Sequence, residues 1–383
     1  MEQASWVRHL ENQQASNIHA GAVRSYHATS HGSAAVSRED APSTLSEKDV
    51  GLRSRDFAFL PNCVDCPARM TSFAYVSDSR FLGAAPAGAG RPFAVAGLPW
   101  DGAVTNRPGA RFAPRAIRLA SHMLCDATHP FFGVSPVSSL EDAGDLPLPN
   151  TSLVAMRQAM TRPVAQLLRQ HHMVWLGGDH SVTLPLLQAY REWLGRPVAV
   201  IHIDAHCDTW TDHFGEPSGH GTWVSEAISQ GLVDPSCFVQ LGIRSAAEQA
   251  ARDYVKLHGG QVFTARDLRG LENPQQLSGV ITSIRERLAS RGHPPVYLSL
   301  DIDGLDPAFA PGTGTPEPAG LTTAQLMTLL EELADLPFVG MDCVEVAPAY
   351  DHAELTTNAA AHLVWTYLSG RVAALPSEHA ATS

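Results

Sequence analysis

The run Ser299-Leu-Asp301-Ile-Asp303-Gly-Leu-Asp306-Pro constrains this chain more than any other part of it. It follows an apolar stretch, Val296-Tyr-Leu-Ser-Leu300, that reads as a strand. Side chains alternate along a strand, so Asp301 and Asp303 face the same way. Two carboxylates held side by side repel each other, and a divalent cation between them removes that cost. His202-Ile-Asp204-Ala-His206-Cys-Asp208 repeats the device after a second apolar run, Val198-Ala-Val-Ile-His-Ile203. Gly177-Gly-Asp179-His180-Ser adds one more histidine after a third, Met173-Val-Trp-Leu176. Three strand ends thus present hard or borderline ligands, enough for two metals.

The rest of the pattern is a regular alternation from Arg91 onward. Strands are expected at 93–98, 173–176, 198–203, 238–241, 296–300 and 339–346. Helices are expected from Ala113, with Pro114 in the first turn, and at 152–171, 184–194, 322–333 and 356–368. Strands alternating with helices make an α/β fold, a parallel sheet covered on both faces. The candidate ligands all fall at strand C-terminal ends, where such sheets open into a crevice. With 383 residues and 44% hydrophobic content, a single large domain over 91–383 has ample core. Residues 1–90 read as an N-terminal arm, too weakly apolar to build a core of their own. The arm's His9, His19, His27 and His31 fit no ligand spacing, and Cys63-Val-Asp-Cys66 lacks a second pair to complete a zinc site.

A formal net charge of −12 argues against nucleic acid and against an anionic membrane surface, and suits a cationic small molecule. No apolar run is long enough to span a membrane, and no secretory signal is evident at the start. Six scattered cysteines then read as reduced thiols, with the cytoplasm as the expected location.

The three motifs together resemble the ureohydrolase family of arginase, agmatinase and guanidinobutyrase, over a span from about Arg91 to about Ser369. The stretch Gly340-Met-Asp-Cys-Val-Glu345-Val-Ala-Pro-Ala-Tyr-Asp351 is similar to the agmatinase branch. The resemblance implies a three-layer αβα arginase-type fold with a mainly parallel eight-stranded sheet. It implies that His180 and Asp208 hold one metal, that His206 and Asp303 hold the other, and that Asp204 and Asp301 bridge. By donor type Mn²⁺ comes first, with Ni²⁺ the main alternative. It further implies that His220 moves protons to the leaving amine and that Glu345 pairs with a guanidinium, both acting with Asp208 as the catalytic set. Thr105 and Asn106, on the loop after the first strand, are candidates for substrate contact; Asp179 is expected to orient the metal histidine or a loop backbone, and Cys207 to pack away from the ligands. The Gly312–Gly320 loop, rich in proline and glycine, is expected to wall the pocket. A homo-oligomer is expected, a hexamer by resemblance, with a mixed assembly of paralogues as the other arrangement.

The expected reaction releases urea and an amine from a guanidino compound. After His220 the chain reads Gly-Thr-Trp223-Val-Ser-Glu226, which offers bulk and negative charge and no arginine for a carboxylate. A carboxylate-free substrate follows: agmatine or, if Trp223 shortens the pocket, guanidine, an alkylguanidine or a biguanide. A guanidinobutyrase-like activity on a guanidino acid is the alternative. A deacetylase would need one metal and fewer ligands, and a non-catalytic partner subunit would have lost some. Neither suits a chain that keeps all six.

Overall fold

The computed structural model describes residues 79–375. The 1–78 part of the expected arm, with its histidines, Cys63 and Cys66, lies outside the described residues. Among the described residues nine strands run in chain order as β1 (Ala85–Pro86), β2 (Phe93–Gly97), β3 (Leu140–Asp145), β4 (His172–Leu176), β5 (Val198–Ile203), β6 (Val233–Ile243), β7 (Gln261–Thr264), β8 (Val296–Asp301) and β9 (Phe338–Val344). They form one sheet in the order β1-β3-β2-β4-β9-β8-β5-β6-β7. Every pair is parallel. The sheet thus has nine strands where eight were expected, counting the two-residue β1 at its edge.

Seven longer helices cover it: α1 (Ala113–Ser121), α2 (Leu153–Leu168), α3 (Thr183–Leu194), α4 (Trp223–Ser229), α5 (Pro274–Ala289), α6 (Thr323–Glu332) and α7 (Leu355–Ala373). Strand alternation sorts the apolar residues into two cores. Val95, Val174, Ile201, Leu298 and Met341 face α1, α5, α6 and α7. Ala94, Trp175, Val200, Phe238 and Tyr297 face α2, α3 and α4. The result is three layers with a core on each side of the sheet. Among the described residues no helix is long and apolar enough to cross a membrane.

Two expectations need correction. The compact body begins upstream of Arg91: Phe81 is fully buried and its N–H donates to Asp142 Oδ2 at 2.8 Å. The strand β3, Leu-Glu-Asp-Ala-Gly-Asp, has no place in the sequence reading, because three acidic residues hide its strand character. Those carboxylates are buried with partners: Arg118 of α1 takes both oxygens of Asp142, at 2.8 and 2.9 Å, and also bonds Asp145.

Beneath the C-terminal rim lies a row of buried polar residues. Trp175, Asp342, Ser299, His202 and Gln240 are register partners across β4, β9, β8, β5 and β6. Partners in register share a face, and residues two further along share it again. His202 therefore stands directly under Asp204, and Ser299 under Asp301. The row is a polar floor for the rim carboxylates.

Candidate metal centre and active site

Each ligand-bearing loop leaves the sheet at a point where the backbone has little freedom. After β4 the chain turns through Gly177-Gly178, where a Cβ on Gly178 would collide with the Trp100 carbonyl. The turn delivers His180 to the rim, fully buried. Its Nε2 lies 2.8 Å from Ser299 Oγ, whose hydroxyl donates to Asp342 Oδ1 at 2.8 Å. With the ring proton on Nε2, the Nδ1 lone pair is left free. Three carboxylate oxygens surround that Nδ1: Asp301 Oδ2 at 3.0 Å, and Asp204 Oδ2 and Asp208 Oδ2 at 3.2 Å.

A second group lies beside the first. His206 Nδ1 is 3.1 Å from Asp303 Oδ2 and 3.3 Å from Asp204 Oδ1. Asp204 thus turns one oxygen to each group, the geometry of a bridging carboxylate. The structure brings all six expected ligands together. Asp208 and Glu345 adopt left-handed backbone conformations, with φ of 53° and 62°. For residues with a Cβ such backbone costs energy and persists where the surroundings demand it, as at active sites.

The donor set fits a pair of divalent ions. Four carboxylates face two histidine nitrogens in a buried space, and among the described residues no lysine or arginine side chain pairs with these carboxylates. Burial and the neighbouring Asp303 and Asp204 push the Asp301 carboxyl well above its usual range. Against burial, the three aspartates facing His180 hold its imidazole well above the ordinary histidine range. Both displacements state one fact: the cluster is short of positive charge. Oxygen and imidazole donors, without thiolates, suit hard or borderline metals.

His202 also touches the cluster, with Nε2 2.8 Å from Asp204 Oδ2. Its Nδ1 receives the Gln240 amide at 3.1 Å, and the same amide nitrogen donates to Cys207 O at 2.9 Å. Nε2 therefore carries the proton and donates to Asp204, so His202 orients a ligand. Trp223 corrects an expectation. It lies fully buried behind the cluster, packed against His180 and His202 at ring distances of 4.9 Å, and does not reach the pocket. Its indole N–H donates to Asp208 Oδ2 at 2.8 Å. A buried indole needs an acceptor, and the ligand carboxylate supplies one.

A cavity of about 330 Å³ opens over the cluster. His180, His206, Asp208 and Asp301 lie at its floor, His220 and Thr105 on its wall, and Trp210, Asp212 and Phe214 toward solvent. His220 Nδ1 is 2.9 Å from Glu345 Oε1, which also accepts the His180 N–H at 2.8 Å. Glu345 Oε2 is buried without a hydrogen-bond partner, an acceptor left open beside Gly314. Burial disfavours the charged His220 ring, but Glu345, then Asp179 and Asp208, outweigh it and raise its pKa to about 9. Asp179 holds the loop rather than the ring of His180, accepting the Ala103 and Ser181 N–H groups at 2.8 and 3.0 Å. Cys207 is buried, and Thr315 brings the Gly312–Gly320 loop to the pocket, bonding Asp303 at 3.2 Å. Asn106 falls outside the cavity lining; its amide donates to Gly314 O at 3.0 Å and ties two loops together. The polar row under the rim and the aromatic loop at 210–214 escaped the sequence reading. A polar residue two positions before the ligand in each of two apolar strands was the available signal for the former.

Carboxylates and imidazoles gathered at the C-terminal rim of a three-layer parallel sheet, around space for two ions, define a metal-dependent hydrolase. Residues 91–369 match the family model described as the arginase family. The chain is 41% identical over 273 residues to an agmatinase of Chromobacterium violaceum, covering 70% of this chain and 80% of that protein. It is 39% identical to the proclavaminate amidinohydrolase of Streptomyces clavuligerus, covering 71% and 87%. The solved structure of the Streptomyces clavuligerus enzyme superposes with a TM-score of 0.72 at 36% identity, covering 79% of this chain and all of that one. The structure of a hypothetical agmatinase from Burkholderia thailandensis gives 0.68 at 35%, covering 76% and 89%. The chain belongs to the arginase family. It is a ureohydrolase, cleaving an amidino C–N bond with release of urea.

Proposed function

We propose that the substrate is agmatine or a closely similar carboxylate-free guanidino cation. The observation that carries this reading is the lining of the cavity: among the described residues no arginine or lysine contributes to it, while Asp212 stands toward solvent with Trp210 and Phe214. A guanidino acid needs a cationic partner for its carboxylate; a second ammonium is served by a carboxylate and aromatic faces. Trp223 is absent from the cavity lining, since its bulk is buried against His180 and His202. The reading that Trp223 shortens the pocket, which favoured guanidine and biguanides, loses its basis. Relatives named agmatinase support the same choice.

His180, Asp204, Asp208, Asp301, His206 and Asp303 would hold the ions, and the donor set favours Mn²⁺, with Ni²⁺ as the alternative. Bound there, a metal pair supplies the Lewis acidity that makes water nucleophilic near neutral pH. Glu345 lies behind His220 and outside the cavity lining; its unpartnered Oε2 is the acceptor offered to a guanidinium N–H that reaches past the wall, which would fix the electrophilic carbon over the cluster. His220, held charged by Glu345, gives its proton to the departing nitrogen and turns a poor leaving group into a neutral amine. Urea release from arginine, agmatine, 4-guanidinobutyrate, guanidine and dimethylbiguanide, each with Mn²⁺ and with Ni²⁺, tests the reading. Preference for arginine or guanidinobutyrate would overturn it.

A further inference from the structure

His220 must pass between two charge states in every turnover, and a buried ring is costly to hold in either without partners. One side of the ring is settled, since Nδ1 faces the carboxylate oxygen of Glu345, which only accepts. The other side meets one residue twice: Nε2 lies 3.0 Å from Thr105 Oγ1 and 3.2 Å from the Thr105 backbone nitrogen. A hydroxyl oxygen accepts from a protonated Nε2. A backbone N–H donates to the same nitrogen once the proton has gone.

The loop that carries Thr105 is pinned on both sides. Asp101 accepts the Gly109 N–H at 2.8 Å, Asp179 accepts the Ala103 N–H at 2.8 Å, and the Ala103 carbonyl accepts the His220 N–H at 3.3 Å. Asn106 bonds Gly314 O on the far side. The charged and titratable groups facing the ring are Glu345 after β9, Asp179 after β4, Asp208 after β5 and His213 on the aromatic loop. The three carboxylates all favour the charged ring. The Thr105 N–H is the neutral ring's partner in this arrangement.

We propose that Thr105 is a positioning residue for His220, its hydroxyl accepting from the charged ring and its backbone N–H donating to the neutral one. Nε2 then keeps a partner before and after transfer. In the reaction a water oxygen bonds to the guanidino carbon, the C–N bond breaks, and the Nε2 proton goes to the departing nitrogen. The proton surrendered by the water restores the ring. This assignment rests on the role given to His220 above.

The test uses metal-loaded enzyme carrying Thr105→Val, Thr105→Ala or Thr105→Ser. Two quantities are followed: kcat against pH, and the titration of the His220 imidazole by NMR, its resonance identified with His220→Asn. Loss of the hydroxyl takes from the charged ring its acceptor on Thr105, whereas the neutral ring keeps the backbone N–H as a donor. In Val and Ala the alkaline limb and the titration both move to lower pH by roughly half to one unit. Serine restores both, and bound metal stays at the level of the unvaried enzyme. Val and Ala variants that scale the rate but leave limb and titration in place would overturn the proposal, as would a serine variant that restores neither. If the unvaried enzyme releases urea from no guanidino compound, the functional reading fails, and the NMR titration alone still decides the Thr105 contact.

Discussion

Two clusters of buried carboxylates sit in this sheet, and they differ in what balances them. At β3, Asp142 and Asp145 share Arg118, which is fully buried and bonded to both. Burial opposes the guanidinium charge there, but the two aspartates outweigh it and raise the pKa further. At the ends of β5 and β8, the ion-pair partners of Asp204, Asp208, Asp301 and Asp303 among the described residues are histidines, with no lysine or arginine paired to them. The first cluster carries its own fixed cation and is complete within the fold. The second needs positive charge from outside the chain. A buried acidic cluster signals function when its counter-charge is missing, and its number of carboxylates decides nothing.

The largest effect is expected where the outside cation is bridged. Asp204→Asn or Asp301→Asn should drop urea release to background and lower metal content by mass spectrometry. Full activity in either would erase the distinction between the clusters. His220→Ala should come next. Turnover falls by about a hundredfold or more while bound metal stays near normal, since the ring handles protons and sits outside the ligand set. A variant that lost its metals would refute that division. Arg118→Met probes the self-balanced cluster. It takes the cation away from two buried carboxylates and should cost about 3–5 kcal/mol in urea unfolding. Urea release per folded molecule should be unchanged. A stable Arg118→Met protein would show that the β3 cluster also draws charge from elsewhere.

The same contrast explains what the sequence showed and what it hid. Ligands at strand ends were legible because carboxylates after apolar runs have no structural excuse. The strand β3 was illegible because its acids are answered by an arginine more than twenty residues earlier, on α1, and nothing local marks the pair. Trp223 was misplaced for a related reason. Next to His220 in sequence it looked like pocket wall, but it opens α4, and its ring turns under the sheet rim to bond Asp208. The polar row of Asp342, Ser299, His202 and Gln240 was hidden inside strands that read as continuously apolar, because register is a property of the sheet and no single strand displays it. Loop contacts such as Thr105 to His220 span 115 residues of sequence and leave no spacing to read.

A group withdrawn from water has a third way to settle its charge, which is to give it up, and the partly buried His172 shows it. It begins β4, the strand whose far end leads to His180, and Nε2 lies 2.8 Å from the Tyr367 hydroxyl. Burial, then the nearby Arg371, push its pKa down from 6.5 to about 3. The unfolded chain therefore takes up a proton below about pH 6.5 that the native ring refuses until about pH 3. The stability linked to His172 is complete above pH 6.5 and is lost as pH falls toward 3, at about 1.4 kcal/mol per pH unit. His172→Gln, which keeps an acceptor for Tyr367, should flatten that acid limb and have the smallest effect of the four at neutral pH. Metal release also weakens the protein in acid, but it is common to both proteins. The difference between their unfolding free energies from pH 7 to pH 4 isolates the histidine. Parallel curves over that range would mean that His172 is charged in the native state and that Arg371 is answered by another group.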